Sequence, residues 1–82
     1  MERRKLGKSI SIPISELVMH KRLDSVCFIE QNHKLAEKTR AAACMYIGRH
    51  DYDLTTKVEG NKIWVLRDKD ITGRFDEYDL RP

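Results

Sequence analysis

Residues Ser9–Ser15 alternate strictly and place Ile10, Ile12 and Ile14 on one face, the pattern of a half-buried strand. Pro13 falls on the opposite face and has no N–H to offer a ladder, which predicts a sheet edge. Glu16 to Arg22 shows no clean period and reads as a turn or a short helical piece. The middle of the chain changes period. Leu35, Thr39, Ala42 and Tyr46 recur at helical spacing, with Ala36, Ala43 and Ile47 flanking the same stripe. The run Ala41-Ala42-Ala43 has the highest helix propensity available. Asn32 suits the N-cap and Gly48 the left-handed C′ position, followed by basic Arg49 and His50. The spacing therefore predicts a helix over Asn32–Gly48, with an earlier start near Asp24-Ser25 as the alternative, because Val26 to Ile29 can add an apolar turn.

A hairpin follows. Tyr52, Leu54, Thr56 and Val58 alternate with polar residues, and Ile63-Trp64-Val65-Leu66-Arg67 resumes after Glu59-Gly60-Asn61-Lys62. Gly60-Asn61 is a two-residue hairpin signal, since Gly supplies the positive φ of primed turns. That turn pairs Val58 with Ile63, Thr56 with Val65 and Lys57 with Trp64. A three-residue loop shifts the register and brings Trp64 to the core face beside Leu54 and Leu66. Beyond Arg67, Ile71, Phe75, Tyr78 and Leu80 stand among charges, with Gly73 marking a turn. The predicted fold is α+β: a small βαββ domain, one main helix packed on an antiparallel sheet that contains the hairpin.

Length and charge narrow the function classes. The chain has 82 residues, enough for one core and little room for a deep substrate pocket. With 40% hydrophobic and 35% charged residues it is too apolar for disorder and unusually charged at the surface. Residues 1–22 carry six basic side chains against two acidic ones, whereas 68–82 carry three against five. The expected layout is a basic arm over 1–8, a domain body, and an acidic, partly ordered tail over 68–82. Its head approaches phosphates and its tail repels them. No apolar run follows the basic start, so neither a signal peptide nor a membrane span is expected, and the expected location is the cytoplasm.

Candidate chemistry is sparse. Cys27 and Cys44 have apolar neighbours and read as free, buried thiols. Cys27/His33 and Cys44/His50 share a spacing, but six-residue offsets do not make the tight two-to-four-residue clamps that zinc sites use. Gly7, Gly48, Gly60 and Gly73 are isolated and form no phosphate loop. Asp76, Glu77 and Asp79 read as a solvated acidic face. No catalytic constellation, metal, cofactor or small-molecule substrate is expected. Trp64 is the most informative side chain. Beside Lys57 on an outward face it suits base stacking or a protein hot spot. The competing reading has the tail, with Phe75 and Tyr78, covering it. Lys34 and Lys38 share a helix face away from the alanines.

Thr39-Arg40-Ala41-Ala42-Ala43, Tyr46, Gly48 and the stretch Val58-Glu59-Gly60-Asn61-Lys62-Ile63-Trp64-Val65-Leu66-Arg67 resemble a pattern in short phage-encoded accessory proteins. In these a strand leads to an alanine-rich helix and a hairpin ending in a Val-Trp-Arg-like triplet, from which Ile63–Arg67 departs. The resemblance covers about half of the chain and assigns no residue a role. It implies a regulatory protein of the bacterial host cytoplasm that binds nucleic acid or inhibits a host machine. The expectation is a non-enzymatic module that binds nucleic acid, DNA rather than RNA, through Arg3, Arg4, Lys5, Lys34, Lys38, Lys57 and Trp64. The alternative is a protein-binding inhibitor of a bacterial host protein such as RNA polymerase.

Overall fold

The computed structural model describes residues 10–20, 22–69 and 71–81; the expected basic arm lies outside them. Its elements run α1 (Ser11–Met19), β1 (Ser25–Ile29), α2 (His33–His50), β2 (Thr55–Glu59), β3 (Lys62–Leu66) and β4 (Phe75–Asp79). The four strands form one sheet in the order β2-β3-β1-β4. β3 runs antiparallel to both β1 and β2, while β4 lies parallel to β1. The fold is α+β, and the β-α-β-β succession is present. However, its first strand is Ser25–Ile29, not Ser9–Ser15, and the sheet is mixed rather than purely antiparallel.

The expected edge strand is a helix. Ile10, Ile14 and Leu17 are spaced four and three apart, so they share a helical face as well as part of a strand face. Ile14 and Leu17 are fully buried, whereas Ile12, required inside by a strand, is 56% exposed. Pro13 decides between the two. It stands in the first turn of α1, where a missing N–H costs nothing, and a strand would lose a ladder bond there. β1 escapes periodicity analysis for the opposite reason. All five of its residues are buried, so it has no polar alternation to display.

α2 begins as expected, with the Asn32 side chain accepting from the Leu35 N–H at 2.9 Å. It runs past Gly48 to His50, and Asp51 takes the left-handed cap conformation (φ 56°) that was expected of Gly48. Ala36, Ala43 and Ile47 form its buried side. The small alanines let the helix lie close over β2 and β3, where Ile63, Val65 and Val58 meet it. Ile14 and Leu17 of α1 fill the rest of that layer against Val26 and Phe28. Both helices thus cover the same sheet face. Phe28 packs against Tyr78 of β4 with ring centroids 5.8 Å apart.

Two knots tie the elements together. At the hairpin turn, the Glu30 N–H donates to the Asn61 carbonyl and the Asn61 side-chain amide donates to the Glu30 carbonyl, both at 2.8 Å. Thr39 donates to the Glu30 carboxylate, and the Gly60 carbonyl accepts from His33 Nδ1 at 2.8 Å. At the other end of the sheet, the Arg67 guanidinium donates to the carbonyls of Leu17, His20 (3.2 Å) and Leu23 (3.0 and 3.1 Å). These carbonyls stand in the last turn of α1 and in the link to β1, where a helix runs out of its own donors. The following loop returns across the start of β1. Asp24 and Ser25 donate through their N–H groups to the Arg74 carbonyl, and the Asp24 carboxylate accepts from the Arg74 N–H at 2.8 Å.

Removing the clamp by Arg67→Ala is expected to cost about 1–3 kcal/mol, because part-buried carbonyls lose a charged donor. Arg67→Lys recovers only part, since an ammonium cannot span three carbonyls; urea unfolding curves of the three proteins check this order. Gly60 (φ 59°) and Gly73 (φ 52°) are both left-handed, but a Cβ meets nothing within 4 Å at Gly60 and stands 2.2 Å from Asp24 Oδ2 at Gly73. Gly60→Ala is therefore expected to cost about 1 kcal/mol. Gly73→Ala should cost more, because the Asp24–Arg74 bond must break as well; parallel thermal melts distinguish the two.

Candidate functional site

The hairpin adopts the two-residue register. Val58 pairs with Ile63, Lys57 with Trp64 and Thr56 with Val65. Positive φ falls on Gly60, the first central residue, as a type II′ turn requires. Trp64 consequently projects from the sheet face opposite the helices, together with Lys57. That face is not open at Trp64, however. The tryptophan is only 8% exposed and joins Cys27 and Leu66 in a second apolar cluster that contains no helix residue. Its cover comes from β4. The Phe75 ring stands edge-on to the indole at a centroid distance of 4.8 Å and an interplanar angle of 74°. The two rings come from the strands on either side of β1 and meet above it, where β1 presents only the small Ser25 and Cys27. The reading in which the tail shields Trp64 thus holds through Phe75, while Tyr78 points to the helix side. Trp64 Nε1 is buried with no acceptor among the described residues.

Burial beneath these rings pushes the Cys27 thiol up to about 12, with the neighbouring Glu77 carboxylate adding to the shift and Lys62 opposing it. Cys44 departs from the expected burial. It is exposed on α2, 3.2 Å from Thr56 Oγ1. Among the described residues no three His, Cys, Asp or Glu side chains come together as a metal cluster.

The sheet separates the basic residues into two groups. On its outer face Lys57 lies 3.1 Å from Glu59 and Lys62 lies 4.0 Å from Glu77, so cations there stand beside carboxylates. α2 is different. Its buried side runs through Ala36, Ala43 and Ile47, and at 100° per residue the opposite side carries Lys34, Lys38, Ala41, Met45 and Arg49. All five are exposed, Met45 at 64%. The only carboxylate on the helix, Glu37, sits 3.3 Å from His33. Among the described residues, Lys34, Lys38, Arg40 and Arg49 have no carboxylate at ion-pair distance. At the end of α2, Tyr46, His50 and Tyr52 cluster, with His50 stacked on Tyr52 at 5.3 Å, and Tyr46 is tied to α1 by a 2.6 Å bond to Ser15.

Of the residues singled out in the sequence, Lys34 and Lys38 share one surface. Lys57 and Trp64 share the other, and Arg3, Arg4 and Lys5 lie outside the described residues. Met45 and Arg49 were legible as members of the Lys34/Lys38 face from their offsets of eleven and fifteen residues from Lys34. Among the described residues, no helix is long and apolar enough to cross a membrane. Comparison with protein-family models, curated proteins and solved structures gave no match.

The burial of Cys27 under Trp64 can be read with a thiol reagent. Iodoacetamide at about pH 8, near the ordinary thiol range, is expected to modify Cys44 and spare Cys27. In Trp64→Ala, which leaves a cavity and costs about 3–5 kcal/mol, Cys27 is expected to react as well. Peptide mass spectrometry of the native proteins measures both.

Proposed function

We propose that this chain is a non-enzymatic regulatory module that binds nucleic acid, duplex DNA first, through the outward face of α2. The observation that carries this reading is the stripe Lys34–Lys38–Ala41–Met45–Arg49, cationic at both ends, small in the middle and, among the described residues, without a carboxylate partner. An isolated helix face of this kind attracts phosphates over its whole length of about 27 Å. Its small central side chain lets the helix axis approach a major groove about 12 Å wide. Arg49 and His50 in the last turn also complement the helix dipole. Trp64 supports the module as a core residue and does not stack on a base. Lys57, beside Glu59 on the far side of the sheet, adds little to the phosphate-contacting surface. The resemblance to phage accessory proteins fits a role in the host cytoplasm.

Titration of labelled duplex DNA at two salt concentrations tests the reading. Three phosphate contacts predict micromolar binding at low salt and a slope of log K against log salt of about −3. Lys34→Ala/Lys38→Ala is expected to lower the slope by about two and affinity at least tenfold, with unchanged melting. No binding at low salt, or a double variant that binds like the parent, overturns it and leaves a host protein as the target.

A further inference from the structure

Gly48 stands inside α2 for no reason that the packing of this chain supplies. Its backbone is helical, not the left-handed conformation that favours glycine. At such a position glycine is less stable than alanine, because it gives up more backbone freedom and packs no side chain. Crowding does not call for it either: among the described residues, a Cβ at Gly48 meets nothing within 4 Å. Gly48 is exposed, three residues beyond Met45 and seven beyond Ala41, so the three are neighbours on one patch of the helix surface. Met45 is the one large apolar side chain exposed on α2, at 64%, and it stands between two positions with almost no side chain. The cations of this face lie at the two ends of the patch. Lys34 and Lys38 precede it and Arg49 follows it. Lys38 and Arg49 are eleven residues apart, about 16 Å along the helix. The two phosphate walls of a major groove are about 12 Å apart. A helix laid across the groove sets Lys34 and Lys38 on one wall and Arg49 on the other, and long side chains absorb the difference. The patch between them then stands over base edges. A helix that tracked a single strand would need cations at even intervals, and this face has none between Lys38 and Arg49.

We propose that α2 crosses the major groove and that Met45 reads the 5-methyl group of thymine, with Ala41 and Gly48 keeping the helix surface low enough for the contact. This rests on duplex DNA being the ligand of the face. The selectivity follows from the chemistry of the groove floor. Every base edge there offers donors or acceptors, and the thymine methyl is the apolar exception. Met45 has no donor and only a weak acceptor, so against any other edge it displaces water from polar atoms and returns no hydrogen bond. Against a methyl group it loses nothing, and its flexible thioether can settle on it. Gly48 then has a role: it removes the Cβ that would hold the last turn of α2 away from the bases.

Fluorescence anisotropy of the full chain with two labelled duplexes tests it, one of alternating A·T pairs and one with uracil in place of every thymine. The two have the same charge and the same pairing and differ only in the groove methyls. The uracil duplex is expected to bind about fourfold more weakly for each methyl contacted. The salt slope of about −3 stays the same for both, because phosphate contacts are untouched. Met45→Gln, which puts a polar group at the same reach, is expected to bind the two duplexes alike. Gly48→Ala is expected to melt at a higher temperature and yet to bind the thymine duplex about tenfold more weakly, because the added methyl crowds the closest approach. A glycine of local importance only gives the first change without the second. Circular dichroism melts confirm that each variant is folded. Equal affinity of the parent for the two duplexes overturns the proposal and leaves a DNA-binding face that reads phosphates alone. A thymine preference that survives Met45→Gln, or a Gly48→Ala variant that binds like the parent, overturns it as well. No binding of either duplex at low salt removes the proposal together with the DNA-binding reading on which it rests.

Discussion

Arg67 holds the point on which the remaining geometry depends. It is the residue after β3, and its backbone N–H donates to the Asp24 carbonyl at 3.0 Å while its guanidinium reaches back to Leu17, His20 and Leu23. One planar, permanently charged fork thus fixes where α1 ends, where β1 begins and how β3 meets it. A cation at the C-terminal end of α1 also offsets the helix dipole. α1 has nine residues, too few to persist alone, so its place is set by this clamp and by Ile14 and Leu17 in the core. The return of the chain over Asp24, with Gly73 close against its carboxylate, then delivers β4 beside β1. Without that fixed corner the parallel pairing of β4 has nothing local to specify it.

A second constraint is the unequal filling of β1. Val26 and Phe28 face the helices, and Ser25 and Cys27 face away. Large residues toward the helices make the principal core. Small residues on the outer side leave a shallow trough that the rings of Trp64 and Phe75 close from both flanks. The sheet is therefore sealed on its outer side by its own side chains. The cost is an indole N–H with no acceptor among the described residues, and burying such a donor is worth about 1–3 kcal/mol of lost hydration.

How much of this the sequence disclosed follows from how local each signal is. The hairpin register and the start of α2 rest on neighbouring residues, Gly60-Asn61 and Asn32 with Leu35, and both are as expected. The same holds for the Lys34/Lys38 stripe, which needs only helical spacing. Signals that depend on distant parts were not legible. Ser25–Ile29 looks like an apolar helical turn until strands flank it on both sides. Ile10–Ser15 satisfies two periods at once, and only packing against Phe28 and Tyr46 selects the helix. Phe75–Asp79 is largely polar because it is an edge. The position of Trp64 was readable from the turn, but its burial was not, because Phe75 reaches it across a third strand.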